Sequence, residues 1–302
     1  MAALVADPAD AEWLKARIAP LLGLVDPGAA RVERSESFAA WRRLVEEMAA
    51  ARPLVLVVED LHWADPAMLE FLEHLCASAA GVGLLVVVTA RPELFERQPA
   101  WGAGVPGATT VAVAPLTEAE TAQLVAGLVG QSLLPPEIQA LLLERAGGNP
   151  LYAEEFVRLL SDRGLLVRSG RVVRLAATAA IPFPDTVQAL IAARLDMLPA
   201  GGKALVQDAA VVGRVFWPGA LAALAGTAEP AVLEGLAALA AKELVQEVRP
   251  SSVEGQAEYR FSHGLVKDVA YAQIPRAGRA RRHRAVAGWL EGLAGDRVAD
   301  LA

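Results

Sequence analysis

The chain has 302 residues, a formal net charge of −7, and a composition that is 54% hydrophobic but only 5% aromatic. This length accommodates two or three domains, and a core built mainly of Ala, Leu and Val favours a globular, largely helical protein over a disordered one. The net acidity gives no reason to expect general nucleic-acid binding. A single cysteine, Cys76, excludes an internal disulfide and a cysteine-based zinc site.

The N-terminal sequence MAALVADPADAEWLKAR carries acids early and lacks the basic and then apolar pattern of a signal peptide. No apolar run approaches the ~18–20 residues that a membrane-spanning helix needs. We therefore expect a cytoplasmic protein that makes no membrane contact.

The first 130 residues predict helices that alternate with short apolar strands. Hydrophobic spacing and the Asp65-Pro66 start signal predict helices over 9–22, 36–50, 66–78 and 117–129. Continuous apolar runs predict strands over 54–58 and 84–89, with a third strand over Thr109–Val113. Two such strands separated by a helix predict a parallel sheet covered on both faces.

From about residue 135 the pattern becomes helical. Residues 164–175 predict a β-hairpin around Ser169-Gly170, and the Pro-rich stretch 181–186 predicts a domain boundary. Three or four helices are predicted over 186–275. The segments ELVQEV and AEYRFS then predict a pair of strands. Helices followed by a strand pair are typical of a winged-helix domain. The tail from Pro275 is basic and predicted to be helical.

Two acids, Glu59 and Asp60, follow directly after the first predicted strand. A strand that ends in adjacent carboxylates is the Walker B arrangement of P-loop nucleotidases, in which one acid helps to hold Mg²⁺ and the next orients the attacking water. Ligands of open α/β sheets bind beyond the carboxyl ends of the strands, which agrees with this position. A buried strand that simply ends in solvated loop acids is the alternative.

Several segments together resemble the STAND-type signal-transduction ATPases. Within that family they resemble the modules found downstream of adenylate/guanylate cyclase domains and those of large LuxR-type transcription regulators. LVLVVEDLHWADPAMLEFLEHL is similar to the Walker B region, LLVVVTARPEL to the strand that follows it, and GGNPLYAEEFVRLL to the G-x-P element. IPFPDTVQALIAARLDMLP and FSHGLVKDVAYAQIPRAGRARRHRAVAGWLE are similar to the winged-helix segment and the start of a helical-repeat region.

The resemblance implies metal and phosphate roles for three residues. Glu59 stands where the family coordinates Mg²⁺, usually through Asp, and Asp60 stands at the catalytic position that orients water and also faces the metal. Arg91 stands at the position of the arginine that senses the nucleotide; a solvated loop residue is the alternative. Asp65 is interpreted as a helix cap rather than a ligand. His62 and Trp63 are interpreted as packing and loop-anchoring groups.

The resemblance also implies nucleotide contacts further along the chain. Gly148, Asn149 and Pro150 stand where the family lines the adenine side, and a plain turn between helices is the alternative. His263 stands at a winged-helix position where related proteins hold the bound diphosphate, and a cap of the following helix is the alternative.

The resemblance predicts an α/β P-loop-type parallel-sheet domain, present in part, followed by all-α helical and winged-helix domains in a mostly helical chain. The predicted divisions are a partial AAA/STAND nucleotide-binding domain over 1–130, a helical lid with the hairpin over 131–180, a winged-helix-like domain over 181–275, and the start of a TPR-like helical-repeat region over 276–302.

The sequence contains no G-x-x-x-x-G-K-[ST] loop, whose backbone N–H groups cradle phosphates. The GK pair Gly202-Lys203 is followed by Ala204 and has Met197 where the first glycine would stand. In the family this loop precedes the Walker B strand, so we expect either a fragment of a larger regulator or a degenerate module. Because positioning and charge neutralisation supply most phosphoryl-transfer catalysis, we expect no ATPase activity from this chain alone.

These observations predict a regulatory ATP/ADP-binding switch module of a multidomain signalling protein, with Mg²⁺ as the metal of the intact domain and effector domains or partner proteins as its targets. The N-terminal segments resemble the cyclase-linked type most. One alternative is a protein-interaction scaffold with degenerate nucleotide motifs. The other is a winged-helix DNA-binding regulator that uses the five arginines and one histidine of 276–284. Such a run is usually a solvated helix face, so no direct DNA contact is expected.

Overall fold

The computed structural model describes residues 7–19, 33–79, 81–130, 134–169, 172–175, 184–253 and 255–294. The described residues divide into two compact units, a first unit that ends at residue 112 and a second unit of residues 113–294. The fold is mostly helical with a small parallel sheet. Within the described ranges, no single helix is long and apolar enough to cross a membrane.

The first unit alternates helices and strands as the sequence predicts. Its elements are α1 (Pro8–Ile18), α2 (Arg34–Ala51), β1 (Leu54–Val58), a 3-10 turn (Leu61–Trp63), α3 (Pro66–Ser78), β2 (Leu84–Val88) and α4 (Glu93–Arg97). Helix α3 begins where expected, because a side-chain oxygen of Asp65 accepts a hydrogen bond from the Met68 N–H at 2.8 Å and Pro66 occupies the first turn. The interpretation of Asp65 as a cap is confirmed.

Strands β1 and β2 pair in parallel, from Leu54 opposite Leu84 to Val58 opposite Val88. One face of this sheet packs on the buried side chains of the 3-10 turn, α3 and α4. The opposite face, which we call the open face, consists of Val55, Val57, Leu85 and Val87, whose exposed fractions are 58, 55, 57 and 39%. The prediction of a sheet covered on both faces is therefore met on one face only.

The prediction of a third strand over Thr109–Val113 is wrong. These residues form no regular structure, and Val111 and Val113 are exposed. Their alternating pattern satisfies the propensity for a strand, but a strand also requires a hydrogen-bonded neighbour. In the part of the first unit that the structure describes, the parallel sheet has two strands.

The second unit begins with three helices and a hairpin and ends in a mixed helical and sheet region. Its first elements are α5 (Glu118–Leu128), α6 (Pro136–Ala146), α7 (Pro150–Asp162), β3 (Leu166–Ser169) and β4 (Val172–Leu175). They are followed by α8 (Val187–Asp196), α9 (Ala200–Val212), β5 (Val215–Phe216), α10 (Pro218–Ala225), α11 (Glu229–Ala241), β6 (Val245–Val248), β7 (Glu258–Phe261), α12 (Gly264–Ala272) and α13 (Arg276–Ala294).

The hairpin and the strand pair of this unit agree with the sequence, but the number of helices over 186–275 does not. Five helices occur there instead of three or four, because Gly213 and Gly226 end α9 and α10 early. The short strand β5 adds a third member to the antiparallel sheet, whose order is β5-β7-β6. Most of the Pro-rich boundary, residues 181–183, lies outside the described residues.

Helix α8 is shared by two hydrophobic clusters of the second unit. Leu190 belongs to the cluster formed with α5, α6 and α7, whereas Ile191 and Leu195 belong to the cluster formed with α9, α11, α12 and the three-stranded sheet. Adjacent residues of a helix point in directions about 100° apart, so one helix can serve both clusters. This helix therefore joins the two halves of the second unit.

Candidate functional site

The two predicted Walker B acids lie at the carboxyl end of β1. Both are exposed, and Asp60 adopts the left-handed conformation with φ 57° and ψ 38°. Among non-glycine residues, Asp and Asn tolerate this region best. The backbone N–H of Asp60 donates to the hydroxyl oxygen of Thr89 at 3.2 Å. This contact fixes the chain where it leaves the strand.

Thr89 ties together the ends of both strands. Its N–H donates to the Val58 carbonyl at 3.0 Å, and its own carbonyl accepts from the Leu61 N–H at 2.8 Å. Thr89 has no predicted role in the site. A hydroxyl residue at the end of the second predicted strand, two positions before Arg91, was the available signal, because the ends of parallel strands meet at one edge of the sheet.

Arg91 follows Thr89 by two positions and is exposed at the same edge. Its carbonyl accepts from the Leu94 N–H at 3.1 Å, which starts α4. The structure thus brings Glu59, Asp60 and Arg91 together at the carboxyl edge of β1 and β2, the edge where open α/β sheets bind ligands.

The two aromatic residues after the acids behave differently from one another. His62 is 7% exposed, and neither of its ring nitrogens has a hydrogen-bond partner in the described structure. Its carbonyl accepts a hydrogen bond from Arg97 of α4, which anchors the turn. Trp63 is 79% exposed, so its interpretation as a packing residue is wrong. Trp63 is the last residue of the 3-10 turn.

The two carboxylates at this edge suit a metal ion whose other ligands are phosphate oxygens and water. Across the described residues, no group of three or more His, Cys, Asp or Glu side chains could hold a metal ion. Magnesium commonly takes one or two protein carboxylates and completes its octahedron with phosphate oxygens and water. Glu59 and Asp60 therefore fit a nucleotide-borne Mg²⁺ and do not fit a resident metal held by the protein alone.

The Gly-Asn-Pro element forms the turn between α6 and α7. The Leu116 N–H donates to the Gly148 carbonyl at 2.9 Å, and Gly148 itself has φ +77°. The side-chain oxygen of Asn149 accepts from the N–H groups of Leu151 and Tyr152 at 3.0 and 3.3 Å, which caps α7, and Pro150 occupies its first turn. Each residue thus has a structural role, and the adenine contacts stay a prediction.

His263 lies between β7 and α12 and occupies the N-cap position of α12. Its side chain makes no capping hydrogen bond, so the alternative holds for its position and not for its side chain. The Nε2 atom of His263 lies 3.6 Å from a carboxylate oxygen of Glu154, one helical turn after Pro150. The second unit therefore brings His263 close to the helix that the Gly-Asn-Pro turn begins.

Two arginines of the basic helix α13 bind within the second unit. Arg279 donates to the carbonyls of Ile274 and Ala272 at 2.9 and 3.2 Å, and Arg282 pairs with the buried Asp208 at 2.5 Å. The exposed arginines are Arg276, Arg281 and Arg284. Arg279 and Arg282 therefore stabilise the second unit, and fewer arginines of the basic run remain to contact a nucleic acid.

Two family models match parts of this chain. Residues 2–88 match the AAA ATPase domain, and residues 117–168 match a domain of unknown function, DUF8739. Among curated proteins, an uncharacterized protein of Rhizobium meliloti (strain 1021) is 27% identical over 256 residues, which are 83% of this chain. The chain spans 24% of the length of that relative.

Among solved structures, the chain is similar to a STAND protein with a tetratricopeptide repeat sensor from Pyrococcus horikoshii. The TM-score is 0.54 at 15% identity, and the match covers 98% of this chain and 40% of that one. At this identity the likeness shows a shared fold. The AAA ATPase domain match over residues 2–88 and the shared fold both agree with the predicted resemblance to STAND/AAA-type modules.

Proposed function

We infer that this chain is a regulatory ATP/ADP-binding module of a signalling protein and is not a self-sufficient ATPase. The observation that carries the proposal is the left-handed Asp60, tied through its N–H to Thr89 at the edge where β1 and β2 end. A non-glycine residue in this region costs on the order of 1–3 kcal/mol and persists where its surroundings hold it, often at ligand sites.

Each charged residue at this edge has a part in the proposed binding of nucleotide. Glu59 and Asp60 would hold the Mg²⁺ that accompanies ATP, and Arg91 would contact phosphate oxygens at the ends of β1 and β2. The bound ion supplies charge neutralisation on the β- and γ-phosphates. In the second unit, Gly148, Asn149, Pro150 and His263 are proposed to respond to adenine and diphosphate.

Hydrolysis by this chain alone is proposed to be negligible. The 302 residues contain no phosphate-cradling loop with its lysine. Asp60 could still orient water, but a water-orienting acid without a cradle leaves the phosphates unpositioned, and positioning supplies most of the rate enhancement in this chemistry.

We also propose that residues 181–275 form a winged-helix-like domain. Two observations support it: the order helix, short strand, two helices, strand pair from α9 to β7, and the antiparallel sheet order β5-β7-β6. The proposed domain boundaries at 130, 180 and 275 follow the sequence. The proposed targets of the switch are cyclase-linked or transcription-linked effector domains or partner proteins in the cytoplasm.

A second candidate function is a protein-interaction scaffold in which the nucleotide motifs are inert. The open face of the sheet favours it, because parallel sheets are normally covered on both faces. Direct DNA binding has less support, since Arg279 and Arg282 are engaged within the second unit. A scaffold would bind its partner with the same affinity in the presence and absence of nucleotide.

Titration of the whole chain with fluorescent ATP and ADP, with and without Mg²⁺, tests the proposal. Asp60→Asn is the informative variant, because Asn tolerates the left-handed region and removes only the charge. Asp65→Asn is the matched control, since Asn keeps the helix cap. We expect Mg²⁺-dependent binding of ATP that weakens in Asp60→Asn and not in Asp65→Asn. If the affinity for ATP depended neither on Mg²⁺ nor on the Asp60 carboxylate, the assignment of Glu59 and Asp60 to Mg²⁺ binding would be refuted.

A further inference from the structure

A group of charged side chains lies in the second unit, between α7, α8 and the end of α11. At its centre, Arg194 of α8 and Glu155 of α7 each have side chains that are 1% exposed, and their Nη1 and Oε2 atoms are 2.6 Å apart. Charged residues are almost never this buried unless they are paired. Arg194 and Glu155 therefore form a fully desolvated ion pair between two helices.

Arg194 uses its whole guanidinium group to connect three segments. Its Nε pairs with Asp162 at the end of α7 at 2.9 Å, and its Nη2 donates to the Lys242 carbonyl at 2.6 Å. Lys242 follows α11 and returns to Asp162 through its own ammonium group at 3.0 Å. The last carbonyls of a helix lack partners within the helix, so Arg194 also caps the end of α11.

A second arginine, Arg158, extends the group along α7. It binds Glu155 at 2.8 Å, Glu154 at 3.3 Å and Glu243 at 2.7 Å. Glu243 has φ 56°, a strained conformation that its ion pair with Arg158 helps to hold. Through Glu154 the group reaches His263, 3.6 Å away. The connected residues thus run from α7 to the segments on both sides of the β6–β7 pair.

Burial of these ions is not explained by stability alone. Desolvation of a carboxylate and a guanidinium consumes most of their mutual attraction, and apolar residues of similar volume often give equal or greater stability. What the fork of Arg194 adds is geometry, because it fixes α7, α8 and the end of α11 in one register. Arg194 belongs to α8, the helix that the two hydrophobic clusters share.

We propose that Arg194 and Glu155 are positioning residues that lock α7 to the β6–β7 segment, so that the Gly-Asn-Pro turn at the start of α7 and His263 move as one body. The lock itself is independent of nucleotide. Its regulatory meaning rests on the proposed function: a ligand that displaces the start of α7 displaces His263 and the three-stranded sheet with it.

Native-state hydrogen exchange of the full chain at increasing, sub-denaturing urea tests the lock. Amides that open in one cooperative unit share one opening free energy. In the wild type, we expect the opening free energies of α7 amides and β6–β7 amides to converge on one value as the urea concentration rises. In the double variant Glu155→Leu/Arg194→Met, we expect α7 to open separately and to exchange at least about tenfold faster than β6 and β7.

Two further variants separate locking from stability. Asp208→Leu/Arg282→Met replaces a partly buried ion pair between α9 and α13. It should leave the shared urea dependence of the opening free energies of α7 and β6–β7 intact. Arg194→Lys keeps the charge but loses the fork and should separate α7 in part. The proposal would be overturned if α7 and β6–β7 still shared one urea dependence of their opening free energies in Glu155→Leu/Arg194→Met. It would also be overturned if they did not share it in the wild type.

The same experiment distinguishes the lock from the nucleotide proposal. Separate opening in the Glu155→Leu/Arg194→Met variant of a chain that binds no ATP would support the lock and refute only its regulatory meaning. If ATP binds, its protection of α7 should extend to β6–β7 in the wild type and stop at α7 in the double variant. Protection that reaches β6–β7 equally in both proteins would refute coupling through these residues.

Discussion

Replacement of Gly148 by alanine should destabilise the second unit far more than the same change at its neighbour Gly147. An added Cβ at Gly148 would lie 2.4 Å from the Leu116 carbonyl oxygen and 2.7 Å from the Pro115 Cβ, and the backbone φ is +77°. At Gly147, φ is +51° and nothing lies within 4 Å of an added Cβ. An alanine would adopt the unfavourable left-handed backbone conformation at both positions. Only at Gly148 would its Cβ also collide with neighbouring atoms.

The expected magnitudes follow from these distances. The left-handed conformation costs an L-residue about 1–2 kcal/mol at either position. Relief of the collision at Gly148 requires backbone movement, which adds about 1–3 kcal/mol for overpacking. It also weakens the hydrogen bond from Leu116 to Gly148, worth about 1 kcal/mol. We expect a loss of about 3–6 kcal/mol for Gly148→Ala and about 1–2 kcal/mol for Gly147→Ala.

Urea unfolding followed by far-UV circular dichroism measures both variants against the wild type. The midpoint of Gly148→Ala should fall well below that of Gly147→Ala at a similar slope. Equal losses within about 0.5 kcal/mol would mean that Leu116 does not pack on Gly148, and the account of this turn would be wrong.

Three other predictions concern groups outside the proposed nucleotide edge. Burial raises the pKa of the Asp208 carboxyl above 3.8, against the lowering effect of Arg282. The folded state therefore favours the protonated carboxyl, and the wild type should lose stability relative to Asp208→Asn as pH rises from 3.8 through the raised pKa. Below 3.8 this loss should be absent. Urea unfolding at several pH values measures it. Burial also raises the pKa of the Cys76 thiol, so its reaction with a disulfide reagent near neutral pH should be several times slower than that of free cysteine. His62→Leu removes two ring nitrogens that have no hydrogen-bond partner among the described residues, and it should leave stability unchanged or raise it by about 1 kcal/mol in thermal unfolding. A clear loss of stability would contradict this reasoning.

Much of the fold follows from local signals in the sequence. The apolar runs at 54–58 and 84–88 and the Asp65-Pro66 start of α3 specify their elements directly, because strand propensity and helix caps act over a few residues. The third predicted strand fails for the opposite reason. Thr109–Val113 has the right residues, but strand formation depends on a neighbour that local sequence does not reveal.

The edge of the sheet was predictable in part. The adjacent acids and Arg91 stand out because they follow predicted strands. Thr89 was missed because a threonine at the end of a strand is common. Its importance comes from register, since pairing of Val58 with Val88 places Thr89 beside Asp60.

The buried ions of the second unit were not predictable from pattern. Glu155 and Arg194 occur in stretches that also contain other charged residues, and helices normally place such residues in solvent. Their burial arises because α7, α8 and the end of α11 meet around them, a consequence of tertiary packing. Sequence periodicity assigns charge to the surface and therefore misassigns both residues.

Hydrogen exchange of the whole chain with and without Mg²⁺-ATP shows whether nucleotide binds at the ends of β1 and β2. We expect slower exchange with nucleotide from Glu59 to Trp63 and from Thr89 to Arg91, and loss of that protection in Asp60→Asn. Protection should also appear at the start of α7 and at His263. Unchanged exchange in all of these segments at saturating nucleotide would contradict the claim that this module binds ATP through these residues.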